Sequence, residues 1–140
     1  MRIGSDYPMI EFECCGLHLV EPNAIIGDFL LFSVCVYQVY RMKRYGRTGF
    51  FNWWRSFFLI MGTGFLFGGI GHTFFPYLGV WGKYPAWYLG ILSTLCIEQG
   101  MIELHHSPGF RLIFKRLSFV KGIFGHCRLY NSLQNDGPDD

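Results

Sequence analysis

Three apolar stretches, each long enough to cross a bilayer, leave this chain little freedom in what it can fold into. They run roughly over Ala24 to Tyr40, Ser56 to Phe75 and Ala86 to Ile102, within the length of about 17–25 residues that spanning requires. A hydrocarbon core offers no water to backbone N–H and C=O groups, so each stretch must close its own hydrogen bonds as a helix. The expected fold is therefore all-α, a polytopic membrane protein with three transmembrane helices. The composition agrees: 16% of residues are charged, against about 25% in an ordinary globular domain. Of the three stretches, the last is the least apolar, because it carries Glu98 and Gln99.

Basic residues set the orientation, since cytoplasmic loops collect Lys and Arg. Only Arg2 precedes the first stretch, and only Lys83 lies between the second and third. Arg41, Lys43, Arg44, Arg47 and Arg55 separate the first from the second, and Arg111, Lys115, Arg116, Lys121 and Arg128 follow the third. Three crossings put ten of these on one side. The positive-inside rule then makes 1–23 an extracytoplasmic segment, 24–104 a three-helix transmembrane domain and 105–140 a cytoplasmic tail. Trp53 and Trp54 at one end, and Tyr77, Trp81, Tyr84, Trp87 and Tyr88 at the other, match the aromatic belts of membrane interfaces. Within the tail, 110–124 alternates apolar and basic residues and suits an anionic membrane surface. The acidic end, 131–140, is expected to be disordered.

Ionisable groups at membrane depth are costly and default to functional candidates. Asp28 and His72 lie a few residues inside the same end of the first and second helices and are expected to meet. They are either a structural pair or, with Glu21 as a third group, ligands of a metal, zinc being the possible ion. Glu98 lies roughly 18 Å below the start of its helix at 1.5 Å per residue. With Gln99 it forms the intramembrane polar pair, a candidate for proton relay or cross-helix pairing, and Glu103 reads as a solvated boundary residue. Gly64 and Gly68 share a face with His72, and Gly90 shares one with Glu98, so close helix packing is expected along both. Cys35 and Cys96 read as small apolar residues within helices. Cys14 and Cys15 are adjacent and outside, free to bind metal or pair with another chain, although not at zinc-site spacing.

An acidic, Cys-containing lead-in, FECCGLHLVEPN, runs into IIGDFLLF, and the second helix ends in GGIGHTFF. Over about residues 11–104 this resembles an uncharacterised family of small multi-pass membrane proteins. More distantly it resembles the membrane hydrolase superfamily that includes alkaline ceramidases and adiponectin receptors. That resemblance implies metal-dependent hydrolysis of a lipid amide or ester, with Glu21, Asn23 and Asp28 matching the acidic region and His72 the histidine of the second helix. The chain departs from the superfamily in having three predicted helices rather than seven. His105 and His106 are also adjacent, where a spaced pair of later histidines is needed.

The functional expectation is an accessory or assembly protein that packs through its glycine-lined faces, the alternative being a metal-dependent hydrolase or a shortened relative of one. A weaker reading makes Glu98 the centre of proton or ion transport. The expected partners are the lipid bilayer and a second copy or another membrane protein, and no nucleic acid.

Overall fold

The computed structural model of the protein describes residues 10–46 and 48–135, with side chains up to Asn131. Arg2, Arg47 and 136–140 lie outside the described residues, while 131–135, expected to be disordered, continue the last helix. What is described is mainly helical, preceded by a small hairpin.

The hairpin pairs β1 (Glu11–Cys14) with β2 (Leu17–Val20) antiparallel, Cys14 opposite Leu17 and Glu11 opposite Val20. Its two-residue turn is Cys15-Gly16, with φ of 55° and 78°. Two successive left-handed residues match the twist of paired strands. Gly16 adopts that conformation freely, whereas at Cys15 it costs about 1–2 kcal/mol. The hairpin is tied down at two points. The His18 backbone N–H donates to Tyr77 Oη at 2.9 Å, and the Glu21 N–H donates to Ile10 O at 2.9 Å.

Helix α1 (Pro22–Met42) begins on Pro22, whose fixed φ and missing N–H suit a first helical position. Its cap residue, Glu21, is left-handed, with φ 55° and ψ 58°. Helix α2 (Gly49–Thr73) returns alongside it. Arg55 holds the turn between them, its guanidinium donating to Met42 O at 3.0 Å and to Gly46 O. A short helix, α3 (Phe75–Leu78), and a 3-10 turn over Gly79–Lys83 lead into α4 (Tyr84–Glu103). Finally α5 (Pro108–Asn135) folds back along α4.

The long helices form an open row in which α1 packs on α2, α2 on α4 and α4 on α5. Close backbone approach makes glycine necessary at particular points of this row. A Cβ at Gly62 would stand 2.8 Å from Cys35 Cβ, and one at Gly71 only 2.4 Å from Gly82 O. The expected packing glycines are looser. Gly64 faces Leu89 at ordinary contact distance (3.4 Å), Gly68 faces Asp28 Oδ2 (3.3 Å), and Gly90 meets nothing within 4 Å. Gly90 is thus not a packing residue. The smallness that seats a helix lies on the Gly62 side of α2, facing α1, and at Gly71.

Two helices, Pro22–Tyr45 and Gly49–Thr73, are long and apolar enough to cross a membrane. Only 6% of the first one's apolar window and 22% of the second's are buried within the protein. A core helix of a water-soluble domain buries its apolar face instead. Outward-facing Ile26, Phe29, Leu30, Val34, Tyr37 and Tyr40 cover α1, while among the described residues the buried apolar side chains are Leu19, Val20, Cys35 and Cys96.

The 110–124 segment forms the first half of α5. It is not separate from the helix row: α5 lies lengthwise on α4 as far as His126, whose ring packs edge-on against Tyr88 at 5.2 Å. The physical cause is on α4, where Glu98 and Glu103 find no cationic partner on α1 or α2, and the basic face of α5 supplies one.

Candidate functional site

The left-handed backbone at Glu21 turns its side chain away from the start of α1 and toward the end of α2. There Glu21 Oε2 lies 2.9 Å from His72 Nδ1. The partner of His72 is therefore Glu21 rather than Asp28, because the cap conformation of Glu21 has no counterpart in a plain helical reading. If Nδ1 carries the proton, Nε2 is left as the basic nitrogen, and among the described residues it has no hydrogen-bond partner. A carboxylate behind an imidazole fixes the orientation of the ring.

Asp28, two turns into α1, is close enough to His72 to interact electrostatically, and its carboxylate lies against Gly68 and Gly69. Asp28 and His72 both line a cleft of about 240 Å³ between α1, α2 and α4, with Gly64, Gly68, Gly90 and Trp87 among its walls. Here the openness at Gly90 has a use: without a side chain it leaves the cleft wide. Expected site residues Glu21, Asp28 and His72 are thus neighbours. They do not form a metal site by themselves, since among the described residues no three His, Cys, Asp or Glu groups converge on one point. Zinc requires at least three protein ligands, and Glu21 directs an oxygen at the imidazole instead. The zinc ion that the resemblance implies does not fit the residues of one chain.

A second polar site lies between α4 and α5. Ser118, itself buried, donates to Glu98 Oε2 at 2.6 Å, and the Lys121 ammonium donates to Oε1. Glu98 is accordingly a cross-helix partner. Gln99 is also buried. One and a half turns further on, Glu103 accepts from Lys115 Nζ at 2.7 Å and from Arg111 Nη1 at 3.5 Å. The Lys115 hydrogen bond holds the Glu103 carboxyl below its ordinary range, outweighing the burial that pushes it up. Glu103 is not the freely solvated residue expected. Near the same end, Trp54 packs on Gly100 of α4, a helix contact where an interface anchor was expected.

Sequence reasoning missed the hairpin and the Glu98–Lys121 pairing. The first had a signal in the alternating LHLV after a Cys-Gly step. The second had only opposite charges separated by 23 residues.

Residues 24–129 match the model of a family described as a family of unknown function (DUF6962). No curated protein and no solved structure matches the chain.

Proposed function

We propose that this chain, which belongs to that family of unknown function, is an integral membrane protein acting by assembly with a second copy of itself. The observation that carries the reading is the open row of helices. Edge helix α1 packs chiefly on α2 among the long helices, and nearly all of its apolar window faces outward. The glycines expected to serve a partner are used or spaced within the fold, so association falls to the aliphatic and aromatic face of α1. In lipid such faces associate through van der Waals packing rather than through the hydrophobic effect.

In this reading α1, α2 and α4 cross the bilayer, with the hairpin and Lys83 outside. α5 enters the membrane beside α4. The Lys121 ammonium lies about 20 Å from the start of α5 at 1.5 Å per residue, near the midplane, where Glu98 neutralises it. Arg111, Lys115 and Arg116 stay at the inner end. Arg128 reaches the outer one, so basic residues still gather inside.

Cysteine crosslinking in native membranes tests the assembly. With the exposed Cys14, Cys15 and Cys127 changed to Ser, Leu30→Cys, on the outward face of α1, is expected to give a disulfide-linked dimer under mild oxidation, while a cysteine on the α4 face of α2, such as Phe65→Cys, gives none. Monomer from both variants at native expression levels would refute assembly through α1.

A second reading rests on the Glu21–His72 pair beside Asp28 in the cleft, an oriented imidazole suited to proton transfer or to metal ligation completed by a partner chain. Metal content separates the readings. The assembly reading expects no zinc in protein purified without chelator. Stoichiometric zinc that disappears in His72→Ala would favour the hydrolase alternative.

A further inference from the structure

Neighbouring residues of a strand point to opposite faces, so adjacent cysteines in a strand hold their thiols apart. The hairpin turn overrides that rule here. Cys14 closes β1, and Cys15, in the left-handed conformation at φ 55°, is turned back toward it. The two Sγ atoms stand 3.9 Å apart, and both side chains are exposed. The Tyr77 hydrogen bond holds the hairpin at His18, beside the turn, and the Ile10–Glu21 bond closes its base.

That separation has a chemical meaning. With metal–thiolate bonds of about 2.3 Å, two sulfurs 3.9 Å apart subtend roughly 115° at a shared ion, between tetrahedral and trigonal angles. A direct disulfide would need the sulfurs to close to about 2 Å. No third ligand stands by among the described residues. His18 is paired with Glu11 at 3.2 Å, and it shares the opposite face of the hairpin with Glu13. Two thiolates alone do not satisfy zinc, which takes three or four protein ligands. They do suit a soft monovalent ion, for which thiolate is a preferred ligand, and an angle of about 115°, rather than a linear one, leaves the ion a third, trigonal position for an external donor.

We infer that Cys14 and Cys15 form a dithiolate site for monovalent copper on the hairpin. Binding forms two Cu–S bonds, breaks two S–H bonds and releases two protons to water. The copper enters and stays as Cu(I), so no electron is transferred. A site with two protein ligands and both sulfurs exposed leaves the ion open to exchange with a third, external thiol or thioether. The proposal is independent of the assembly reading.

The test uses the detergent-purified full chain, reduced and kept anaerobic, titrated with Cu(I) held by a chromophoric chelator. The wild type is expected to withdraw one Cu(I) per chain. Cys14→Ser and Cys15→Ser are each expected to retain it at least tenfold more weakly, and Cys127→Ser to behave as wild type. X-ray absorption on the copper-loaded wild type is expected to show two sulfur neighbours, a readout that does not depend on any variant folding. One copper per two chains, undiminished binding in Cys15→Ser, or a copper shell with fewer than two sulfurs would each overturn the site.

Discussion

Gly71→Ala isolates the closest backbone approach in the structure. A methyl group there would lie 2.4 Å from Gly82 O and 2.8 Å from Gly82 C. Ordinary contact begins near 3.4 Å, so α2 and the 3-10 turn before α4 must separate by about 1 Å. Both obstructing atoms belong to the main chain, and no rotamer change relieves them. Overpacking of this kind costs about 1–3 kcal/mol, sometimes more, and alanine returns about 1 kcal/mol of helix propensity. With two rigid overlaps the upper end applies, leaving a net loss of about 2 kcal/mol, roughly thirty-fold in the folding equilibrium. Gly64→Ala is the matched control in the same helix. Its methyl would meet Leu89 Cβ at 3.4 Å without overlap, so the propensity gain of up to about 1 kcal/mol is kept. The two variants should move stability in opposite directions. Denaturant titration in micelles, followed by tryptophan emission, reads both, and Trp81 beside the contact reports on it directly. If Gly71→Ala proves as stable as Gly64→Ala, the close approach does not exist and the packing argument fails with it.

Glu98→Gln removes the charge that answers Lys121. Losing one charged hydrogen bond, worth about 1.5–3 kcal/mol, should lower Leu95→Cys to Gly122→Cys crosslinking roughly tenfold, and Lys121→Met in the same background should restore it. Unchanged crosslinking in the single variant would remove the pair from the account. The Glu103 carboxyl, held low by Lys115 and then Arg111, titrates more readily in the undocked helix. Its contribution to docking is therefore complete above the ordinary glutamate value of about 4.3 and is lost as pH falls through its depressed value. The Leu95–Gly122 crosslink should weaken below about pH 4 in the wild type and lose that dependence in Glu103→Gln.

Much of the helical skeleton was legible because hydropathy is a local property. The stretches at 24–40, 56–75 and 86–102 became α1, α2 and α4, and the main error was at the start of α2. That helix begins at Gly49, since aromatic residues around Trp53 pack as helix on α4 while reading as an interface belt. Long-range pairing was less visible. Helix depth puts Asp28 and His72 at one level, and both line one cleft, but the imidazole's partner depends on one left-handed residue, Glu21. Glycine spacing pointed to Gly64 and Gly68. The closest contacts instead fell at Gly62 and Gly71, because spacing defines a face without saying which neighbour lies on it. The return of α5 along α4 escaped for a similar reason. Its basic residues look surface-bound until the two glutamates they neutralise are seen on the adjoining helix.

The course of α5 decides between a four-helix row with both termini on one side and a three-helix domain with a surface tail, and Cys127 near its far end reports on it directly. In sealed vesicles of known orientation, a membrane-impermeant maleimide should label Cys15 and Cys127 from the same side, and Ser107→Cys, in the α4–α5 turn of a chain whose Cys14, Cys15 and Cys127 are changed to Ser, only from the other. Labelling of Cys127 from the Ser107 side would contradict the account, returning α5 to the membrane surface and leaving Glu98 without its partner.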